Sequence, residues 1–138
     1  MQVKSRKAFS MIELVFVIVV IGILSAIAIP KFAATRDDAV ITKAMVTIAS
    51  VRSALATERQ KLLLRGSFID MNKTSVGENF TEMLEYDVKA CADSKCSGWE
   101  TGGTEAVPTF TFHGPTGDAV FELNKNRLIY KSGSKDYE

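Results

Sequence analysis

One acid stands at the head of an otherwise uncharged apolar run. Residues 4–30 read KSRKAFSMIELVFVIVVIGILSAIAIP, and Glu13 is the only charged side chain from Ala8 through Pro30. An ionised carboxylate in hydrocarbon is costly unless a partner accompanies it, so such an acid predicts a function that supplies one. Lys4, Arg6 and Lys7 form a short basic stretch just ahead of it.

The other side chains capable of chemistry lie far downstream. Cys91 and Cys96 are spaced C-x4-C. Redox catalysis usually employs C-x-x-C, and zinc takes four ligands, with only His113 here to add a nitrogen. If this part is exported, a disulfide closing a six-residue ring fits the pair, with free thiols and a metal site as the alternatives. His113 is the sole histidine, placed at a strand end beside Gly114-Pro115-Thr116-Gly117. No serine, cysteine or acid stands near it in a recognisable catalytic motif, and it reads as a surface or turn residue. There is no Gly-rich phosphate loop, EF-hand or H-E-x-x-H. No catalytic residue, metal or cofactor is therefore expected, and the chain is not read as an enzyme. Lys125, Arg127, Lys131 and Lys135, interleaved with Tyr130 and Tyr137, are a weak footprint for nucleic acid. A hairpin edge guarded by lysines is the preferred reading.

These residues need elements to position them. Phe9 to Ile29 is 21 residues, long enough to cross about 30 Å of hydrocarbon at about 1.5 Å per residue. The basic leader places the N-terminus in the cytoplasm and sends the rest outward. A cleaved secretory signal is the rival reading, with Ala26-Ile27-Ala28 as the cut site. Against it, Glu13 opens the apolar stretch without purpose, Pro30 follows immediately, and helical periodicity resumes beyond. Ile41, Ile48, Leu55 and Leu62 recur every seven residues, with Ala44 and Val51 between them. Lys43, Thr47, Arg52, Arg59 and Lys61 occupy the face expected to meet water. Gly66 after Arg65 is the stop signal, so one helix spans Phe9–Arg65. Between Gly22, a weak helix former, and Pro30, which lacks an N–H, a kink or local unwinding is expected.

Residues 66–97 read as loop, with a short helix from about Ser75 through Leu84. From residue 98 the period becomes two, giving an antiparallel meander over 98–132 of three strands or four. Gly114–Gly117 and Asn124-Lys125-Asn126 are its turns. The fold class is thus α+β: a long N-terminal helix, membrane-spanning in its first half, packed on a small antiparallel sheet. Removing residues 1–65 leaves 73 residues, a size at which a lone core is marginal. The helix is therefore expected to supply much of it.

The signature Phe9-Ser10-Met11-Ile12-Glu13-Leu14, behind a basic leader and followed by an apolar run and Pro30, resembles that of type IV pilins and type II secretion pseudopilins. The resemblance covers residues 4–35. It implies a leader of residues 1–8, cleaved by a prepilin peptidase between Ala8 and Phe9, and N-methylation of Phe9. It makes 9–30 the membrane and polymerisation helix, with Gly22 and Pro30 at its break, and 31–138 a periplasmic head. With the leader gone, 14 basic side chains meet 16 acidic ones, a net of −2, which does not suit a bulk polyanion binder. One departure is Ala8, where the family usually has glycine. Alanine is the next smallest residue, so slower processing rather than none is expected.

In such a family Glu13 would meet the free amine of a neighbouring subunit's Phe9. Each charge would then offset the other's desolvation. Snorkelling of Glu13 to the headgroups is the alternative. The implied partners are copies of the chain or related pilins, the peptidase, an inner-membrane platform protein and an assembly ATPase. The implied location is the inner membrane, then a filament in the periplasm or at the cell surface. Helix packing there would bury Val15, Val19, Ile23 and Ile27. The family's major secretion pseudopilins carry a calcium loop rich in Asp and Gly, which has no counterpart after Gly117-Asp118. Secretion, DNA uptake and a surface pilus remain open as the machine served. The alternative function is an anchored or secreted periplasmic binding domain unrelated to filaments.

Overall fold

The structure is a computed structural model and describes residues 9–138. Helix α1 runs Met11–Leu64 and α2 Lys73–Val76, followed by a 3-10 turn at Glu78–Phe80. Strands β1 (Gly98–Gly103), β2 (Pro108–Gly114), β3 (Gly117–Asn124) and β4 (Arg127–Gly133) follow, and a last 3-10 turn spans Lys135–Tyr137. The class is α+β, as the periodicities require. Two compact units result, one through Arg36 and one of Asp37–Glu138.

In the second unit the apolar stripe of α1 becomes the core. Ala44, Ile48, Val51 and Leu55 are buried, and Ile41 and Leu62 pack at its margin. Spacings of three and four keep these side chains on one face. Thr47 is a correction: expected in water, it is 3% exposed. Its Oγ1 donates to the Lys43 carbonyl at 3.0 Å, which satisfies the hydroxyl within the helix. The helix stops as glycine dictates. Gly66 takes φ 73°, its N–H donates to Leu63 O at 3.0 Å, and Ser67 N–H donates to Leu62 O at 2.9 Å. That pair of bonds satisfies the last carbonyls of the helix.

The short helix comes earlier than expected and is shorter. Asn72 caps it by accepting the Ser75 N–H at 2.9 Å, and Gly77 at φ 76° ends it. Phe80 then sits at φ 67°, a conformation bulky residues avoid. Packing compensates: its ring stacks on Phe110 at 4.2 Å and meets Trp99 edge-on at 5.1 Å.

The sheet has the order β1-β2-β3-β4, antiparallel throughout. The fourth strand is therefore real. Alternation places Phe110 and Phe112 of β2, and Ala119, Phe121 and Leu123 of β3, in the same core as the helix stripe. A register shift lies between Val120 and Phe121. The β2–β3 turn is Pro115-Thr116, and the β3–β4 turn uses Lys125 and Asn126 at φ 46° and 63°. Two successive positive φ values match the right-handed twist of a hairpin. Tyr137 is a second correction. It is 1% exposed, its ring 5.0 Å from Phe112, so it is core and not part of a basic, aromatic surface.

The N-terminal helix as candidate functional site

The start of α1 is built by its own residues. Ser10 Oγ accepts the Ile12 N–H at 3.2 Å, and the Ser10 carbonyl accepts the Leu14 N–H at 3.2 Å. Ser10 is thus the N-cap, which answers one of the free donors at a helix start. Glu13 falls in the first turn, where negative charge is favoured by the positive end of the helix dipole. Among the described residues it has no salt-bridge partner and no side-chain hydrogen bond. Its environment in the isolated subunit is exposed.

Around it lies apolar surface. Phe9, Met11, Ile12, Leu14 and Phe16 are all exposed, and so are Val15, Val19, Ile23 and Ile27. An apolar helix face this extensive marks a surface that membrane or another helix must cover. The first part of α1 is long and apolar enough to cross a membrane. Gly22 and Pro30 both lie inside α1, and helix continues through them. Pro30 costs the helix one N–H donor without ending it. Ala8, the residue before the expected cut, lies outside the described residues.

In the head, Cys91 and Cys96 form a disulfide with Cα atoms 5.9 Å apart. Among the described residues, the one cluster with metal-ligand spacing is Cys91, Asp93 and Cys96. The bond consumes both of its thiols. The loop lies against β1: Cys91 N–H donates to Trp99 O at 2.9 Å, and Trp99 N–H to Lys89 O at 2.8 Å.

His113 corrects the sequence reading. It is 6% exposed, with Nδ1 2.9 Å from Asp118 and Nε2 3.1 Å from Glu100. Burial, the largest single influence, pulls its pKa down. The hydrogen bonds and charges of Asp118 and Glu100 together outweigh this, and the pKa is raised above its ordinary value. Part of this was legible. His113 and Asp118 lie one residue outside the Gly114–Gly117 turn and so pair directly. The arrangement has no nucleophile and serves to tie β1, β2 and β3 together.

A lone acid in the first turn and an exposed apolar helix thus stand ahead of a four-stranded sheet. The family described as a prokaryotic N-terminal methylation motif matches residues 3–29. Two fimbrial proteins of Pseudomonas aeruginosa are each 31% identical over 110 residues, covering 77% of this chain and 69% of theirs. The type IV narrow pilus major component PilA5 of Thermus thermophilus is 52% identical over 50 residues, 36% of this chain and 43% of its own. No solved structure gives a significant match. The chain belongs to the type IV pilin family and is a structural subunit of that class.

Proposed function

We propose that the chain is cut between Ala8 and Phe9 by a prepilin peptidase, methylated on the Phe9 amine, and built into a surface pilus. Glu13 carries this reading, as the single acid in the exposed, membrane-length apolar stretch that opens α1 and runs to Pro30. During assembly its carboxylate pairs with the Phe9 amine of a neighbouring subunit. Two opposite charges brought together in hydrocarbon offset part of each other's desolvation, whereas either alone stays costly. The pairing sets register, and burial of Val15, Val19, Ile23 and Ile27 between helices supplies the attraction. Gly22 and Pro30 are the weak points at which the helix gives way as subunits pack. A platform protein and an ATPase drive extraction from the inner membrane, with the N-terminus cytoplasmic and the head outside. The relatives' names, two fimbrial proteins and a pilus component, favour a pilus over a secretion or DNA-uptake filament.

Mass spectrometry of the protein from cells tests processing: the expected chain begins at N-methylated Phe9. A chain starting after Ala28 would point instead to a secreted domain. Glu13→Ala tests assembly. Cleavage and membrane insertion should persist while incorporation into filaments is lost, and normal incorporation would sink the docking role.

A further inference from the structure

The second unit carries two surfaces of opposite chemistry, one on either side of the buried stripe of α1. The first groove is lined by Arg52, Arg59 and Arg127, with Leu63, Ile129 and Glu138 among its other walls. Arg52 Nε donates to Leu128 O at 3.3 Å. Arg59 and Arg127 are exposed and form no salt bridge among the described residues. Past Arg59 and Leu63 the groove adjoins a depression lined by Phe68, Ile69 and Asp70. Leu64, Phe68 and Ile69 are 89%, 83% and 75% exposed, an apolar knob with Arg59 in the lining that Phe68 and Ile69 share.

On the other flank, a groove is lined by Val46, Ala49, Met83, Leu84 and Tyr86, with Glu82 and Glu85 among its walls. Glu58 and Lys61 also line it, but they pair with each other at 2.5 Å. Glu82 and Glu85 are exposed and form no salt bridge among the described residues. The groove therefore offers an apolar floor and two acids without a salt bridge, against the three arginines beside the knob, where Glu138 and Asp70 offset part of the positive charge.

We propose that the Leu64–Phe68–Ile69 knob and the Arg59/Arg127 flank of one copy seat in the Glu82/Glu85 groove of a second copy. The two surfaces sit on different flanks of one helix, so one chain cannot satisfy its own pair. A contact between two different patches is heterologous, and when its rotation does not close it propagates as a helical filament. Exposed apolar area with unpaired charges of opposite sign supplies both attraction and register. The inference rests on the filament reading for its repetition, and names the head-to-head surface that the N-terminal helix does not provide.

Charge exchange tests it in cells at physiological salt. Arg59→Glu with Arg127→Glu should lower filament yield by about tenfold or more, as should Glu82→Arg with Glu85→Arg. The four changes together should restore yield to within about twofold of the parent. Both double variants should retain the parent's thermal midpoint after extraction, which separates a lost contact from a lost fold. In parallel, Phe68→Cys combined with Tyr86→Cys should give an oxidant-dependent ladder of linked copies, and either double charge variant should abolish it. Parental yield in both double variants, or no ladder at all, overturns the contact. If the parent itself forms no filament, the filament reading falls, while the ladder in membranes still decides the contact.

Discussion

Asp118 Oδ1 lies 2.9 Å from His113 Nδ1, directly across the β2–β3 pair, so that an exposed carboxylate holds a buried imidazole. Glu100 completes the arrangement from β1 at 3.1 Å. Three strands are thereby joined by one side chain whose charge varies near neutral pH.

The pKa of His113 is raised on folding. Its contribution to stability is therefore complete below the ordinary histidine value of about 6.5 and fades as pH rises through the folded value. The thermal midpoint of the intact protein in detergent should fall as pH rises from about 6.5 through the raised folded value. His113→Gln should flatten that slope. An equal slope in both proteins would show that His113 does not set the response.

Gly114 sits beneath Tyr137. A Cβ there would stand 2.7 Å from a Tyr137 ring carbon and 2.8 Å from Phe112, well inside contact distance. Gly114→Ala should cost about 1–3 kcal/mol through this crowding, and tyrosine fluorescence should report release of the C-terminal turn. An unchanged denaturation midpoint would show that Tyr137 contributes little.

The Cys91–Cys96 ring is small, and the chain-entropy account gives about 2 kcal/mol for closing it. Replacing both cysteines by serine should lower stability by that amount without unfolding the head, measured by urea denaturation. Complete unfolding would make the bond a condition of the fold.

Leu55 and Leu64 share a helix and differ in everything else, the one 1% exposed and the other 89%. Leu55→Ala should cost about 3 kcal/mol, and Leu64→Ala about 0.5 or less. A stability loss at Leu64 comparable to that at Leu55 would place it in a packed core and remove it from any copy-to-copy contact.

Much of the fold is legible in the sequence, because its signals are local. The seven-residue stripe from Ile41 to Leu62, the stop at Gly66 and the two hairpin turns each follow from a few neighbouring residues. What escapes depends on distant register. Glu100 reaches His113 only because β1 pairs with β2 from Gly98 against His113, a match no short window contains. Tyr137 is buried because a 3-10 turn, capped by Ser134 accepting from Asp136 N–H, carries it back over Phe112. Thr47 reads as a water-facing residue by type, and its hydroxyl is hidden by an internal bond. Among the site residues, the acid at Glu13 and its apolar surroundings are visible at once, since lone charge in a long apolar run is a one-dimensional pattern. The surfaces flanking α1 are not, for they combine residues from the helix, the loop and β4.

The backbone of Trp99 turns outward from the sheet and is met there by Lys89 and Cys91, while Thr101 Oγ1 accepts the Asn79 N–H at 2.7 Å. Loop segments thus occupy the free side of β1, the side on which a foreign strand would add. The ring closed by Cys91 and Cys96 holds the loop to that task. For strand pairing the consequence is that, with Lys89 and Cys91 bonded to the outer edge at Trp99, a neighbouring copy meets loop and side chains there and not a free backbone ladder.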